Sequence, residues 1–205
     1  MPQPLTLSKP KQLLVEGRDS EAFFYPFVES IGLKDVVQIH DYGSITELAA
    51  FLKQFVRNAQ FKKLPVRSIG IIRDAEQDAT SAFQSICTAL YKAELAVPEQ
   101  PCLPTKHEPN VNIFILPDSE TAGMIETLIL RAVKDDPGFE CVDRYLECVI
   151  QLTNSVPRPM DKARLLAFLA SKPDIKPLTG FAARAGYLNL ASQAYEPLRN
   201  FLLAI

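Results

Sequence analysis

No apolar run in the 205 residues approaches the roughly 20 needed to cross a bilayer as a helix. The opening MPQPLTLSKPK lacks the apolar centre of an export signal. Membrane insertion is therefore not expected, and the default is a cytoplasmic protein with reduced thiols. The four cysteines, Cys87, Cys102, Cys141 and Cys148, include no C-x-x-C pair, and His107 stands alone near Cys102. No zinc spacing results. Cys141 and Cys148 share one helical face and are expected to pack in the core. There is no GxxxxGK[ST] loop and no GxGxxG, which excludes a P-loop on motif. Positive charge is not in excess either: 22 Lys and Arg stand against 24 Asp and Glu, with pI near 5.8. That argues against gripping nucleic acid by bulk charge, although bound cations or a local basic patch could supply the attraction.

What is present fits a soluble globular chain: 47% hydrophobic residues, 22% charged, and enough length for a core on both faces of a sheet. QLLVE (12–16) reads as a buried strand, VVQIH (36–40) as a second, VRSIGII (66–72) as a third and VNIFIL (111–116) as a fourth. A helix over 20–31 has Asp19 as its expected N-cap, Gly32 as its stop and Pro26 inside it. Ser44 and Glu47 form a capping box before a helix with Ile45, Leu48, Leu52, Phe55 and Val56 on one face. Ala79, Ala82, Phe83, Ile86, Cys87, Leu90 and Tyr91 mark another helix. Residues 95–110, with four prolines, are a long connection. Helices are expected at 120–134, 139–152, 161–170 (capped by Asp161) and 192–204, while 178–190 has no clear assignment. This alternation predicts an α/β fold: a mainly parallel sheet of about four strands with helices on both faces, followed by a helical C-terminal extension. Residues 1–120 form the α/β domain and 121–205 the extension, expected to pack on it as one unit.

Three of the four strands end in a carboxylate: Glu16, Asp74 and Asp118. Right-handed crossovers bring all strand C-termini to one edge, where ligands of such sheets bind. Anions gathered there repel one another and resist burial, and a divalent cation relieves both costs. Oxygen donors without His or Cys favour magnesium, manganese or calcium. Asp74, Glu76 and Asp78 form the densest group, and an extended segment would point Asp74 and Glu76 the same way. Each acid also has a purely structural explanation. Asp78 can cap the next helix, Glu126 can lie on a solvated helix face, and Asp19 and Glu21 can complement a helix dipole. Glu16 ends a wholly apolar strand before a Gly and has no capping role; a buried acid there needs a partner.

LLVEGRD and SIGIIRDAE resemble the two motifs of Toprim domains, a strand ending in Glu-Gly and a strand ending in Asp-x-Asp. Gly43 matches a glycine often found after the second strand. Toprim domains occur in topoisomerases, bacterial primases, recombination proteins and overcoming-lysogenization-defect nucleases. VEGRDSEAFF, IGIIRDAEQDA, FILPDSETAGMIETL and FAARAGY extend the similarity over nearly the whole chain, to a prokaryotic Toprim-like family catalogued as a domain of unknown function. The resemblance implies a general acid/base or metal-ligand role for Glu16 and Mg²⁺ or Mn²⁺ binding by Asp74 and Glu76. The departure is Glu76, one methylene longer than the usual Asp.

Two functions compete. One is a metal-dependent nuclease or related phosphoryl-transfer enzyme acting on DNA or RNA. In it Asp74, Glu76, Asp78 and Glu16 hold metal, and Asp118, Glu126, Arg18 and Arg73 are accessory. The cluster Arg57, Lys62, Lys63 and Arg67 could contact phosphates, or could simply bracket a solvated loop. The other is a non-catalytic module binding a nucleotide or a protein partner, favoured by the acidic charge and by Glu76. A phosphoacceptor receiver domain also places acids at strand ends. It wants an acidic pair beside the first strand, where this chain has a single Glu followed by Gly and Arg.

Overall fold

The computed structural model describes residues 6–63 and 66–205, without the side chain of Lys62. The first five residues of the N-terminal stretch, and Lys62 of the basic cluster, thus lie outside the described residues. Four strands form, β1 (Lys11–Val15), β2 (Val37–Asp41), β3 (Ser68–Asp74) and β4 (Asn110–Leu116). Between them run α1 (Arg18–Ser30), α2 (Ile45–Arg57), the short α3 (Ala59–Lys63) and α4 (Ala79–Lys92). All four strands pair in parallel in the order β2-β1-β3-β4, with Leu13 beside Ile39 and Gly70, and Ile72 beside Phe114. Both faces of the sheet are covered, so each strand is a nearly unbroken apolar run. The chain winds one way from β1 to β2 and the other way from β3 to β4. That reversal opens a crevice beyond the C-termini of β1 and β3.

Alternate strand residues feed two separate cores. Leu14, Ile69, Ile71, Ile113 and Ile115 face Leu48, Leu52 and Phe55 of α2 and Phe83, Ile86 and Leu90 of α4. On this side His40 is buried, and its ring Nε2 lies 2.7 Å from Gln12 Oε1. Leu13, Val15, Ile72, Phe114 and Leu116 face the other way, onto Phe23, Phe24 and Phe27 of α1. The chain beyond β4 completes that second core with α5 (Ile125–Val133), α6 (Phe139–Thr153), α7 (Met160–Ala170), α8 (Thr179–Arg184), a 3-10 turn (Gln193–Tyr195) and α9 (Glu196–Ala204). Phe201 of α9 packs on Phe114 with ring centroids 5.4 Å apart. A Cβ on Gly70 would sit 3.0 Å from Ile205 Cδ1, so β3 needs a glycine under the end of the chain.

The segment without a clear assignment, 178–190, contains α8, which lies against α1. A Cβ on Gly180 would fall 2.3 Å from the Ala22 carbonyl oxygen, and Thr179 Oγ1 donates to the Asp19 carbonyl at 3.2 Å. The proline-rich connection has no regular element, yet it covers the outer edge of β4. Cys102 N–H donates to Ile113 O and Thr105 N–H to Val111 O, both at 2.9 Å. Guarding an edge strand in this way prevents unwanted pairing.

Several expected boundaries move. The N-cap of α1 is Gly17, and Asp19 sits in the first turn. Pro159 takes the N-cap of α7, leaving Asp161 in its first turn. Residues 117–123 are a turn, so α5 starts at Ile125 and not at 120. Cys141 and Cys148 are exposed, because the buried stripe of α6 runs through Val142 and Leu146 instead.

Candidate acidic site at the sheet edge

Glu16 follows β1 directly. Its Oε1 accepts the N–H of Ile45, the first residue of α2, at 3.1 Å, and its Oε2 lies 3.4 Å from Arg73 Nε. That approach is an ion pair without hydrogen-bond alignment, since the buried Arg73 Nε has no well-formed acceptor among the described residues. The rest of the guanidinium is anchored on the Ser85 hydroxyl and the Ala82 carbonyl. Burial raises the Glu16 carboxyl above its ordinary range, against the pull of Arg73 and the Ile45 N–H.

Asp74 ends β3 and points to the other face. Its Oδ1 accepts the N–H of Ile125, the first residue of α5, at 2.9 Å. Burial, then the charge of Glu126, push its carboxyl up to about 7; Glu16 and Glu76 add to this and the Ile125 N–H opposes it. Glu126 Oε1 lies 3.9 Å from Lys162 Nζ of α7. An open cleft of about 330 Å³ is walled by Glu16, Asp74 and Glu126, by Arg18, Asp19 and Ser20 at the start of α1, and by Lys162.

Glu76 is not in an extended segment. Its φ is +53, and its backbone bridges Gly123 in both directions, N–H to O at 2.8 Å and O from N–H at 2.9 Å. A turn closed by Asp78 N–H on Ala75 O imposes this. Glu76 reaches the site through its charge on Asp74 and Glu16, not through a shared strand face. Asp78 is the N-cap of α4, accepting from Ser81 N–H, and this holds its carboxyl below the usual range. Asp118 organises the turn after β4. Burial pushes its carboxyl up, but the Arg131 ion pair at 2.7 Å and the Thr121 and Glu120 N–H groups outweigh that and hold it at about 2. Neither Asp78 nor Asp118 lines the cleft. Arg67 lies just before β3 and Arg57 ends α2, both at the opposite edge of the sheet from the acids.

Two residues were not anticipated. Asp41 makes β2 the fourth strand to end in a carboxylate, and its Oδ1 accepts from Gly17 N–H at 2.9 Å and Gly43 N–H at 2.8 Å. The signal was legible, since Asp41 directly follows VVQIH. Lys162 carries no local signal, because only packing of α7 against α5 brings it to the cleft.

The protein family described as "Protein of unknown function (DUF3226)" matches residues 10–205. The chain belongs to that family. Among solved structures it is similar to the C-terminal region of the OLD protein of Xanthomonas campestris pv. campestris. The structure phased with iodine is 14% identical over 92% of this chain and 85% of that one, with a TM-score of 0.39. The one phased with mercury is 12% identical over 96% and 98%, with a TM-score of 0.41. No curated protein matches the chain.

A common device links these acids in this member of the family. Glu16 caps α2, Asp41 holds the N-cap residue of α1, Asp74 caps α5 and Asp78 caps α4. Strand-end carboxylates therefore meet the positive ends of helices, which stabilises anions. The buried Tyr42, donating to Ile72 O at 3.2 Å, forms the floor beneath them. Among the described residues, no three His, Cys, Asp or Glu side chains stand close enough to form a metal cage. The donors available are oxygens only, and of the two oxygens of Asp74 only Oδ1 accepts a hydrogen bond from the described residues. An all-oxygen, anion-crowded set of this kind fits a hard cation that keeps several waters.

Proposed function

We propose that this chain is a divalent-cation-dependent phosphoryl-transfer protein of Toprim type that cleaves phosphodiesters in DNA or RNA. The observation that carries the reading is Asp74. It sits at the switch point of the sheet with its carboxyl raised by burial and by Glu126, Glu16 and Glu76, and no arginine or lysine among the described residues pairs with it. Uncompensated crowding of carboxylates at such a position is the arrangement a cation relieves. Mg²⁺ or Mn²⁺ would be held by Asp74 and by waters, within the negative field of Glu16, Glu126 and Glu76, and when bound would neutralise charge on a scissile phosphate. Arg18 of α1 and Lys162 of α7, both lining the cleft, bind the non-bridging oxygens and orient the ester. Glu16, with its raised carboxyl, takes a proton from the attacking water.

A second reading, a non-catalytic module that binds a nucleotide, is favoured by one observation: both oxygens of Glu16 already have partners. Calorimetric titration with Mg²⁺ and Mn²⁺, alongside hydrolysis of bis(p-nitrophenyl) phosphate, separates the two. Metal binding with turnover, both lost in Asp74→Ala, supports the enzyme. Binding of metal and nucleotide with no turnover supports the module. If wild type and Asp74→Ala bind metal equally, or neither binds it, the proposed site is wrong.

A further inference from the structure

The surroundings of the cleft narrow its substrate, an inference that rests on the reading above. At about 330 Å³ the cleft lies at the small end of the roughly 300–1,000 Å³ range of ligand pockets, room for one nucleotide unit. Its cations are confined to its walls: Arg18 is exposed and Lys162 is 52% exposed, whereas Arg73 is buried against Glu16 and α4. Outside the cleft the rim changes sign. Glu47, Glu76, Asp78 and Glu120, all exposed, lie along the same edge of the sheet because each follows a strand end or opens a helix there. Arg131, on the same rim, is bound to Asp118.

Duplex DNA carries one charge per roughly 1.7 Å of axis, and proteins that grip it neutralise roughly 6–10 phosphates. A rigid duplex laid across this edge would press its phosphates onto carboxylates on either side of the cleft. A flexible single strand can seat one nucleotide between Arg18 and Lys162 and lead its flanks away from the rim. We infer that the substrate is unpaired, single-stranded nucleic acid engaged through one phosphate at a time, and not a duplex.

The test uses the full chain with Mn²⁺ and three substrates: a single-stranded oligonucleotide, the same sequence as a duplex, and bis(p-nitrophenyl) phosphate. The single strand should be cut at least about tenfold faster than the duplex. With two cations engaged, the slope of log affinity against log salt should be only about −1.4. Glu120→Lys, which replaces a rim acid with a cation, should raise duplex cleavage severalfold, while Lys162→Ala should raise KM for the single strand. Equal or faster cutting of the duplex, or a slope of about −5 or steeper, overturns the inference and leaves the proposed chemistry standing. Turnover of the small diester with neither oligonucleotide cut does the same. If no phosphodiester is turned over, the proposed chemistry itself falls, and this inference with it.

Discussion

Glu16 and Asp74 occupy equivalent places, each at the C-terminus of a central strand and each bonded to the first N–H of a helix, yet the dominant charge beside each has the opposite sign. Glu16 turns toward α2 and α4, where Arg73 stands 3.4 Å away. Asp74 turns toward α5 and α7, where Glu126 is the dominant charge and Lys162 lies nearer to Glu126, at 3.9 Å, than to a pair with Asp74. Alternation along β3 produces the difference, because Arg73 and Asp74 are neighbours and must point to opposite faces. One half of the site is neutralised within the protein; the other is left for a ligand to neutralise.

Breaking the compensated half should give the largest effect. Arg73→Met keeps the aliphatic stem packed but leaves Glu16 without its counter-charge in a setting where the two side chains are only 26% and 15% exposed. Removing one partner of a buried pair costs about 3 kcal/mol at the lower end of the measured range. Urea denaturation at pH 7 should show that loss, and Glu16→Gln in the same background should recover most of it. A loss below about 1 kcal/mol, or no recovery, would mean that Arg73 does not compensate Glu16.

The uncompensated half should respond in the opposite direction. The folded-state pKa of Asp74, about 7, lies above its ordinary 3.8. Between those values the native state holds a proton the unfolded chain has lost, so stability falls as pH rises from about 4 to about 7 and is level above. The full shift corresponds to about 4 kcal/mol, and partial solvent access reduces it to about 2. Asp74→Asn keeps the Ile125 hydrogen bond and should therefore stabilise the metal-free protein by about 2 kcal/mol at pH 8 and not at all at pH 4. Thermal melts across pH give the comparison. Mg²⁺ should raise the wild-type melting temperature at pH 8 and leave Asp74→Asn unmoved. A variant less stable than wild type at pH 8 would show that Asp74 carries no electrostatic strain.

Periodicity made the frame of this molecule readable. LLV, SIGII and VNIFIL are apolar on both faces because helices cover both, and the regular alternation with amphipathic helices leaves a parallel sheet as the natural solution. The acids were legible for the same reason, since strand ends are where apolar runs stop. Asp41 was missed by ending its strand one residue early. Local pattern cannot show what tertiary packing decides. Lys162 is one charge on an amphipathic helix, and α8 looked shapeless because small residues at Gly180 and Ala182 serve close contact with α1 and leave no apolar stripe. Glu76 departs from the pattern because a left-handed residue breaks the alternation of an extended segment.

The smallest effect tests how the uncompensated half is held in shape. Thr127 accepts the Met124 N–H at 3.1 Å and donates to Asp161 Oδ2 at 2.6 Å, tying the start of α5 to the start of α7. Asp161 precedes Lys162, and a Cβ on Gly123 would meet the Thr127 hydroxyl at 2.8 Å, so the bridge to Glu76 leans on the same residue. Thr127→Val preserves shape and removes only the hydroxyl, which should cost about 1 kcal/mol of stability. Because Glu126 and Lys162 lose their common reference, KM for a phosphodiester should rise severalfold while the effects of Arg73→Met stay unchanged. Thr127→Ser restores the hydroxyl and should return KM to the wild-type value. A stability loss with KM unaltered would reduce the Thr127–Asp161 contact to helix packing, and would place the control of Lys162 elsewhere on α7.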